Sequence, residues 1–562
     1  MKNCELHYKI VDNKNNLSFK SGHCNILAFS DLHGGLRAPA KMFNSIAANV
    51  KNIFPQQKNS NVLNLLAMPG DIFINQQKRG YITKPNITNG DVQLLLINNL
   101  LKSIRNLIHP KAKYDALFTP GNHDFDGGDV ALLNMLKKMP VKMLLTNAHN
   151  TAELSPLYDN KLFTSVIYEI PDDRKPNLKH KVLTLGVTLQ NMDYFNEGLI
   201  KKIKFLDNFT SVDEKLKDDA YLKTIEKINS IITSFKNENP NGAVVILSHL
   251  GNRFSGLLAE NNPDINLILN GHDHVQKLTR VNRSKIASLG QNSEIYRGIQ
   301  LNFDDYGRLE NINIDTFYPL DEKVPNAKDL MKDVNSMLKE DIKPLVKFNP
   351  NIFGINEFIY TTEVRYKNSP YANFLSSALR DYLIEKGFKV DLLGCQSSSI
   401  RGSIKEGSAN LDLLKTFDGI KDYVAGLEIA PLKGREILDI VIENVLGNIE
   451  KPERSTIMQW SDLKVDRSLF TDIRYGKTDK TFKDGVKIRN RITGEYEPLM
   501  LDKEYYTAFA NKDVNRRKEC FEKIKHKFKP TGINVPDAFH EYMDEHKYII
   551  NITPEIMEER II

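Results

Sequence analysis

Five short clusters of Asp, Asn and His, each closing an apolar run, carry the chemistry open to this sequence. They are Asp31 and His33 in DLHGG, Asp71 in PGD, Asn122 and His123 in GNHDFDGG, His249 in SHLG, and His272 and His274 in GHDH. Of the 13 histidines, five fall in these clusters and none lies between Val275 and Lys525. Carboxylate, amide and imidazole donors without a thiolate suit Mn(II), the favoured ion, or Zn(II) or Fe, rather than Mg(II) held mainly by oxygen. The seven candidate ligands, Asp31, His33, Asp71, Asn122, His249, His272 and His274, are too many for one ion and fit two that share a carboxylate. Two such ions, about 3.5–4 Å apart, lower the pKa of a water and clamp the attacking and leaving oxygens of an in-line displacement. That chemistry is the hydrolysis of a phosphate ester. The plainer reading, in which these residues are turn caps and core histidines, needs five ordered clusters to coincide.

The elements that must position these residues read as buried strands. CNILAFS, VLNLLAM, YDALFTP, AVVILSH and INLILN are apolar runs bounded by turn residues. Ligands at strand ends are where open α/β sheets build their sites. At the first strand end, side-chain alternation of period two predicts that Asp31 and His33 share a side. Residues 36–54 and 92–109 carry helical spacing, KVLTLGV from Lys181 reads as a strand, and 196–239 as a long Lys-rich helix. Residues 275–318 close the sheet with a hairpin turned at Asp305-Tyr306-Gly307. A single helix over about 323–346 connects to a second region of alternating strands and helices.

At 562 residues the chain is too long for one core of ordinary size. Apolar content of 41% and charged content of 26% belong to an ordinary globular protein. The net charge of +6, from 77 basic and 71 acidic residues, permits a polyanionic partner without requiring one. Cys4, Cys24, Cys395 and Cys520 form no C-x-x-C pair, so neither a disulfide framework nor a thiolate zinc site is indicated. The N-terminus shows no apolar leader and no window approaches a membrane span. The expectation is a cytoplasmic protein with no membrane partner, and homo-oligomerisation is left open.

The order DLH, GD, GNHD, SHLG, GHDH resembles the calcineurin-like metallophosphoesterases over residues 24–280. The resemblance implies that Asp31, His33, Asp71 and His274 hold one metal, that Asp71, Asn122, His249 and His272 hold the other, and that Asp71 bridges them. It also implies that His123 contacts the phosphate and stabilises or protonates the leaving oxygen. GNHDFDGG is similar to the GNHEFDxG of the 5'-nucleotidase family, in which the second acidic residue, here Asp126, holds the catalytic histidine. VRYKNSPYANFLSSALRD resembles that family's segment with a phosphate-binding arginine (Arg365), and QSSSIRGSI its N-G-G-G-I-R-x-x-I (Gln396 to Arg401). LEIAPLKGREILDIVIENVL resembles its closing strand and helix. The implied fold class is α/β: an N-terminal α/β/β/α metallophosphoesterase sandwich at 1–320, a linker helix at 321–350, and a smaller α/β 5'-nucleotidase-like domain at 351–562.

The departures bear on substrate. Gln396, Ser397, Ser398 and Ser399 add side chains where the family has Asn and glycines. Phe417 can stand for one aromatic of the family's purine clamp, but after TAFAN the second is replaced by KDVNRRKEC, which brings Lys512, Arg516, Arg517 and Lys518. Basic pairs beside a phosphoesterase site can track a nucleic-acid backbone. The functional expectation is therefore a Mn(II)-dependent DNase, similar in ligand order to the double-strand-break-repair nuclease branch of the superfamily. The alternative is a 5'-nucleotidase acting on nucleoside monophosphates, and a third reading is a non-catalytic scaffold, against which the intact ligands argue.

Overall fold

The computed structural model describes residues 23–33, 37–54, 62–73, 91–109, 112–125, 127–172, 175, 177–189, 200–207, 221–291, 293–319, 345–349, 353–358, 367–397, 400, 403–408, 426–450, 457–514 and 519–561. The chain divides into two compact units, the second of which includes Lys339–Ile562. The linker helix expected at 321–350 falls mostly on residues outside the described ones, and its described end is not helical: Lys347–Asn349 is a strand, paired with Ile549–Asn551. Among the described residues, no helix is long and apolar enough to cross a membrane.

The first unit is built on two sheets. Its strands are β1 (Cys24–Ala28), β2 (Leu63–Pro69), β3 (Lys113–Thr119), β4 (Lys142–Leu144), β5 (Leu162–Phe163), β6 (Ser165–Pro171), β7 (Lys179–Thr188), β8 (Ala243–His249), β9 (Leu267–Asn270), β10 (Leu278–Val281), β11 (Ser284–Ser288), β12 (Tyr296–Phe303) and β13 (Leu309–Phe317). One sheet has the order β13-β12-β1-β2-β3-β4-β5, and the other β10-β11-β9-β8-β7-β6. β1, β2 and β3 run parallel, as do β7, β8 and β9, so each sheet delivers its C-terminal strand ends to one edge.

Alternation along the strands explains the layering. Ile26, Ala28, Leu65, Ala67 and Leu117 of the first sheet share a buried cluster with Val182, Val245, Leu247, Leu267 and Leu269 of the second. The intervening residues of the second sheet, Leu183, Leu185, Val244, Ile246 and Ile268, face outward and pack with Ile225, Ile228, Ile232 and Phe235 of the helix Leu222–Glu238. The helix Arg37–Ile53 lies on the first sheet through Phe43, whose ring meets Phe29 at 5.5 Å. Its Ser45 hydroxyl reaches the Tyr296 hydroxyl of β12 at 3.0 Å. Strands buried on both faces show as the continuous apolar runs of the sequence. The fold is the α/β/β/α sandwich.

One expected helix is shorter than its spacing suggests. The helix begins at Leu222, and residues 200–207 have no helical structure. The backbone N–H groups of Lys201, Lys202 and Ile203 all donate to the buried Asp129 Oδ2, a tertiary acceptor that fixes this stretch in its non-helical path. Phe205 instead bridges to Ala148.

The second unit holds a five-stranded mixed sheet in the order Met458–Trp460, Leu392–Gln396, Glu504–Ala510, Gly426–Lys433, Lys529–Asn534. Helices Pro370–Glu385 and Val535–Glu545 share one apolar cluster with it, and Gly434–Glu450 and Arg467–Arg474 another. The expected closing strand and helix are Gly426–Lys433 and Gly434–Glu450. Ser369 caps the helix that Pro370 begins by accepting from the Ala372 N–H.

Replacing Asp129 with Ala strips three amides of their acceptor, and a buried unsatisfied donor costs about 1–3 kcal/mol. Urea unfolding of Asp129→Ala followed by a probe in the first unit is expected to show a loss of at least about 2 kcal/mol. A loss below about 0.5 kcal/mol would mean that water replaces the carboxylate.

Candidate metal centre

The ends of β1, β2, β3, β8 and β9 converge. Asp31, His33, Asp71 and His274 each offer a ligand atom within 4.8 Å of the others, and Asp71, His249 and His272 form a second such group. Asp71 belongs to both. His33 Nε2 and His274 Nε2 are 2.7 Å apart, and His274 Nε2 is 3.3 Å from Asp31 Oδ1. On the other side of Asp71, His249 Nε2 lies 3.1 Å from its Oδ2. Asn122 Oδ1 approaches His272 Nδ1 at 3.1 Å. The His123 N–H donates to Asp71 Oδ1 at 2.8 Å, and the His123 and His33 rings meet at 5.2 Å. All seven sequence-predicted ligands and His123 thus share one buried locus. Asp126, Arg365, Arg401 and Phe417 lie outside the described residues, as do Ser398, Ser399, Arg516, Arg517, Lys518 and the side chain of Lys512. Gln396 is buried at the end of the strand Leu392–Gln396, opposite Met458.

The means of convergence differs from the pleat expected for Asp31 and His33. β1 ends at Ala28, and both residues sit in a turn beyond it with left-handed backbone, φ 52° and 48°. Asp71, His272 and His274 share this conformation at φ 52°, 82° and 62°. Non-glycine residues are rarely found there, and each costs on the order of 1–3 kcal/mol. The turns are held by their own backbones: Asp31 N–H donates to the Gly70 carbonyl and His33 N–H to the Asp71 carbonyl, both at 3.0 Å. The glycines of the motifs are there for room. A Cβ on Gly121 would fall 2.2 Å from Asp71 Oδ1, and one on Gly271 2.7 Å from Asp31 Oδ2.

Two acids to which sequence reasoning gave no role hold these turns together. Asp124, buried, accepts from the N–H groups of Asp71 (2.8 Å), Phe73 (2.7 Å) and Gly121 (2.7 Å), tying the turn after β2 to the turn after β3. Asp273, between His272 and His274, accepts from the Asn252 N–H at the start of the helix Gly251–Asn261, which follows His249. The available signal was an acid inside each motif beyond the number the ligands require.

The electrostatics suit a cation. Burial pushes the Asp31 carboxyl up to about 7. Burial would also raise Asp71, but the neighbouring His249, His123 and His33 rings outweigh it and hold that carboxyl well below the usual range. For His249 burial alone would depress the ring, yet the Asp71 and Asp31 carboxylates lift it to about 10. Burial and the charge of His249 lower His272 to about 4, which leaves its ring neutral and able to ligate. His249 Nδ1 lies 2.9 Å from the Pro69 carbonyl, which orients Nε2 toward Asp71. The donor set and its charge therefore fit divalent metal.

Residues 24–276 match the model of the calcineurin-like phosphoesterase family. That segment is a calcineurin-like phosphoesterase domain. The chain is accordingly a metal-dependent phosphoester hydrolase. No curated protein sequence matches it. Among solved structures it is similar to a 5'-nucleotidase precursor from Thermus thermophilus, at 17% identity and TM-score 0.61 over 96% of this chain and 98% of that one. The sulfate thiohydrolase SoxB of Thermus thermophilus is similar at 17% identity and TM-score 0.60, covering 96% of each chain. A 5'-nucleotidase from Candida albicans is similar at 13% identity and TM-score 0.53, over 93% of this chain and 98% of that one. At these identities the likeness establishes the shared two-domain fold.

In the metal-free phosphoesterase domain, Asp31 holds a proton below about 7 and His249 holds one below about 10, and an entering cation must expel both. Affinity must therefore rise with pH. Calorimetric titration with Mn(II) is expected to give a dissociation constant at least about tenfold lower at pH 8 than at pH 6. A pH-independent constant would place the ion elsewhere.

Proposed function

We propose that this enzyme is a 5'-nucleotidase-type phosphomonoesterase that hydrolyses nucleoside monophosphates. The observation that carries the reading is the extent of the structural likeness: it runs through 96% of the chain, well past the catalytic segment, into a second unit shared with a protein described as a 5'-nucleotidase precursor. Asp31, His33, Asp71 and His274 would hold one divalent ion, and Asp71, Asn122, His249 and His272 the other. Mn(II) is favoured by the nitrogen and oxygen donors, with Zn(II) or Fe as alternatives. Bound there, the ions would supply Lewis acidity toward the phosphoryl oxygens. The remaining roles belong to side chains. His123 donates a proton to, or stabilises, the leaving nucleoside oxygen, and Asp126 fixes its ring. Arg365 and Arg401 are proposed as guanidinium forks for phosphate oxygens, with Gln396 and Phe417 contacting the substrate.

The Mn(II)-dependent DNase expected from the basic segment around Lys512 to Lys518 stands as the second reading, with no support among the comparisons. Incubation with Mn(II) and either AMP or linear plasmid DNA separates the two. The proposal expects inorganic phosphate from AMP with the DNA intact, and the reverse result would replace it. The His123→Ala variant is expected to retain metal while kcat falls by about 10²–10⁴, the range for loss of a general acid or base. A rate near that of the wild type would remove His123 from the reaction.

A further inference from the structure

The outer face of the second sheet is apolar until its last rung. Val244 and Ile246 of β8, Ile268 of β9 and Ile286 of β11 pack there with Leu258 and Ala259 of the helix Gly251–Asn261. The next outward positions on the three strands are Ser248, Asn270 and Ser288, which lie side by side in register and are buried. His249 directly follows Ser248, and Gly271 and His272 directly follow Asn270. Buried polar side chains cost stability unless they are hydrogen-bonded, and an apolar rung would continue the packing below it.

The bonds of this row run in one direction around the ligand turns. Ser255, buried on the helix, donates to Asn270 Oδ1 at 2.6 Å. That uses its one hydrogen, so in the 2.9 Å contact between Ser248 and Ser255 the Ser248 hydroxyl is the donor. Ser248 Oγ accepts in turn from the Leu250 N–H at 3.3 Å, which ties together the residues on either side of His249. On its other side the Asn270 amide faces Asn252 Oδ1 at 3.4 Å and Ser288 Oγ at 3.5 Å, and Ser288 donates to Asn252 Oδ1 at 2.7 Å. The Asn252 N–H donates to Asp273. His272 thus lies between two residues, Asn270 and Asp273, that both reach Asn252. A buried network of this kind holds its members in one arrangement, which apolar contacts do not do.

We propose that Asn270 is a positioning residue for the metal centre, setting the spacing of His249 and His272. The inference rests on the reading of these two imidazoles, with Asp71, as ligands of one ion. Their rings are 5.3 Å apart, and the three residues offer donor atoms within 4.8 Å of one another. Asn270 acts on the β8 turn through Ser255 and Ser248, and on the β9 turn through its own backbone and Asn252. Metal–ligand distances must hold to about 0.2 Å, so a small drift between the two turns is felt at the ion. The other ligand group is less exposed to such drift, because Asp31, His33 and Asp71 all follow strands of the first sheet, which the network does not reach.

Calorimetric titration of the full chain with Mn(II) at pH 8 tests this. The binding step of His249 and His272 is identified as the one abolished in His249→Ala. In Asn270→Leu that step is expected to weaken by about tenfold, the low end of the range for residues that orient metal ligands, with the other step unchanged. The control is Ser284→Ala, which removes a buried 2.6 Å bond to the Ile265 carbonyl at the far end of β11 and should leave both steps at their wild-type constants. Unchanged constants in Asn270→Leu, an equal loss at both steps, or the same loss in Ser284→Ala would overturn the proposal while leaving the ligand reading intact. Retention of both steps in His249→Ala would overturn the ligand reading, and the proposal with it. Should Asn270→Leu not fold, Ser255→Ala decides: it cuts the chain between Asn270 and Ser248, the same selective loss supports the proposal, and wild-type constants overturn it.

Discussion

Asp31 and Asp71 are carboxylates with almost no contact with water, set among the imidazoles of His33, His249, His272 and His274 at the edge where both sheets end. Burying even one such charge without compensation costs several kcal/mol. The first unit keeps two within reach of the same ligand atoms, and Asp71 stands between two groups that each have the composition of a metal site. In the metal-free state protons compensate part of this charge, which is why His249 is lifted to about 10 and Asp31 to about 7. A pair of divalent cations meets the same requirement and brings the charge that a phosphoester reaction needs. The demand for positive charge links the fold to the chemistry.

The backbone bears the cost of meeting it. Five of the seven ligand candidates occupy left-handed backbone, a conformation that persists only where the surroundings enforce it. Enforcement here is local and specific. Asp124 fastens the turns after β2 and β3 to each other, and Asp273 fastens the turn after β9 to the helix that follows β8. Gly121 and Gly271 let these turns close to distances that a side chain would forbid. The sheets contribute rigidity: their strands interlock across the inner cluster and leave only the strand ends free to specialise.

Much of this was legible in the sequence, and the exceptions have physical causes. Strands buried on both faces leave continuous apolar runs, and the motifs at their ends drew Asp31, His33, Asp71, Asn122, His249, His272 and His274 to one place before any coordinates. The route was not legible. Alternation put Asp31 and His33 on one side of a strand, whereas left-handed turns beyond β1 bring them in, and no periodicity encodes such a turn. The helix expected from 196 onward is limited to Leu222–Glu238 because a distant carboxylate, Asp129, takes three successive amides from residues 201–203, a tertiary effect that overrides local pattern. Substrate is read least well, since its candidate contacts Arg365, Arg401 and Phe417 lie outside the described residues.

A phosphoesterase domain followed by a second α/β unit, with one carboxylate common to two ligand groups, is an arrangement for holding a phosphate between paired charges. Anomalous diffraction from crystals soaked in Mn(II) tests that account most directly. It predicts two peaks about 3.5–4 Å apart, both within coordination distance of the Asp71 carboxylate. A single peak, or a pair that Asp71 does not touch, would contradict it.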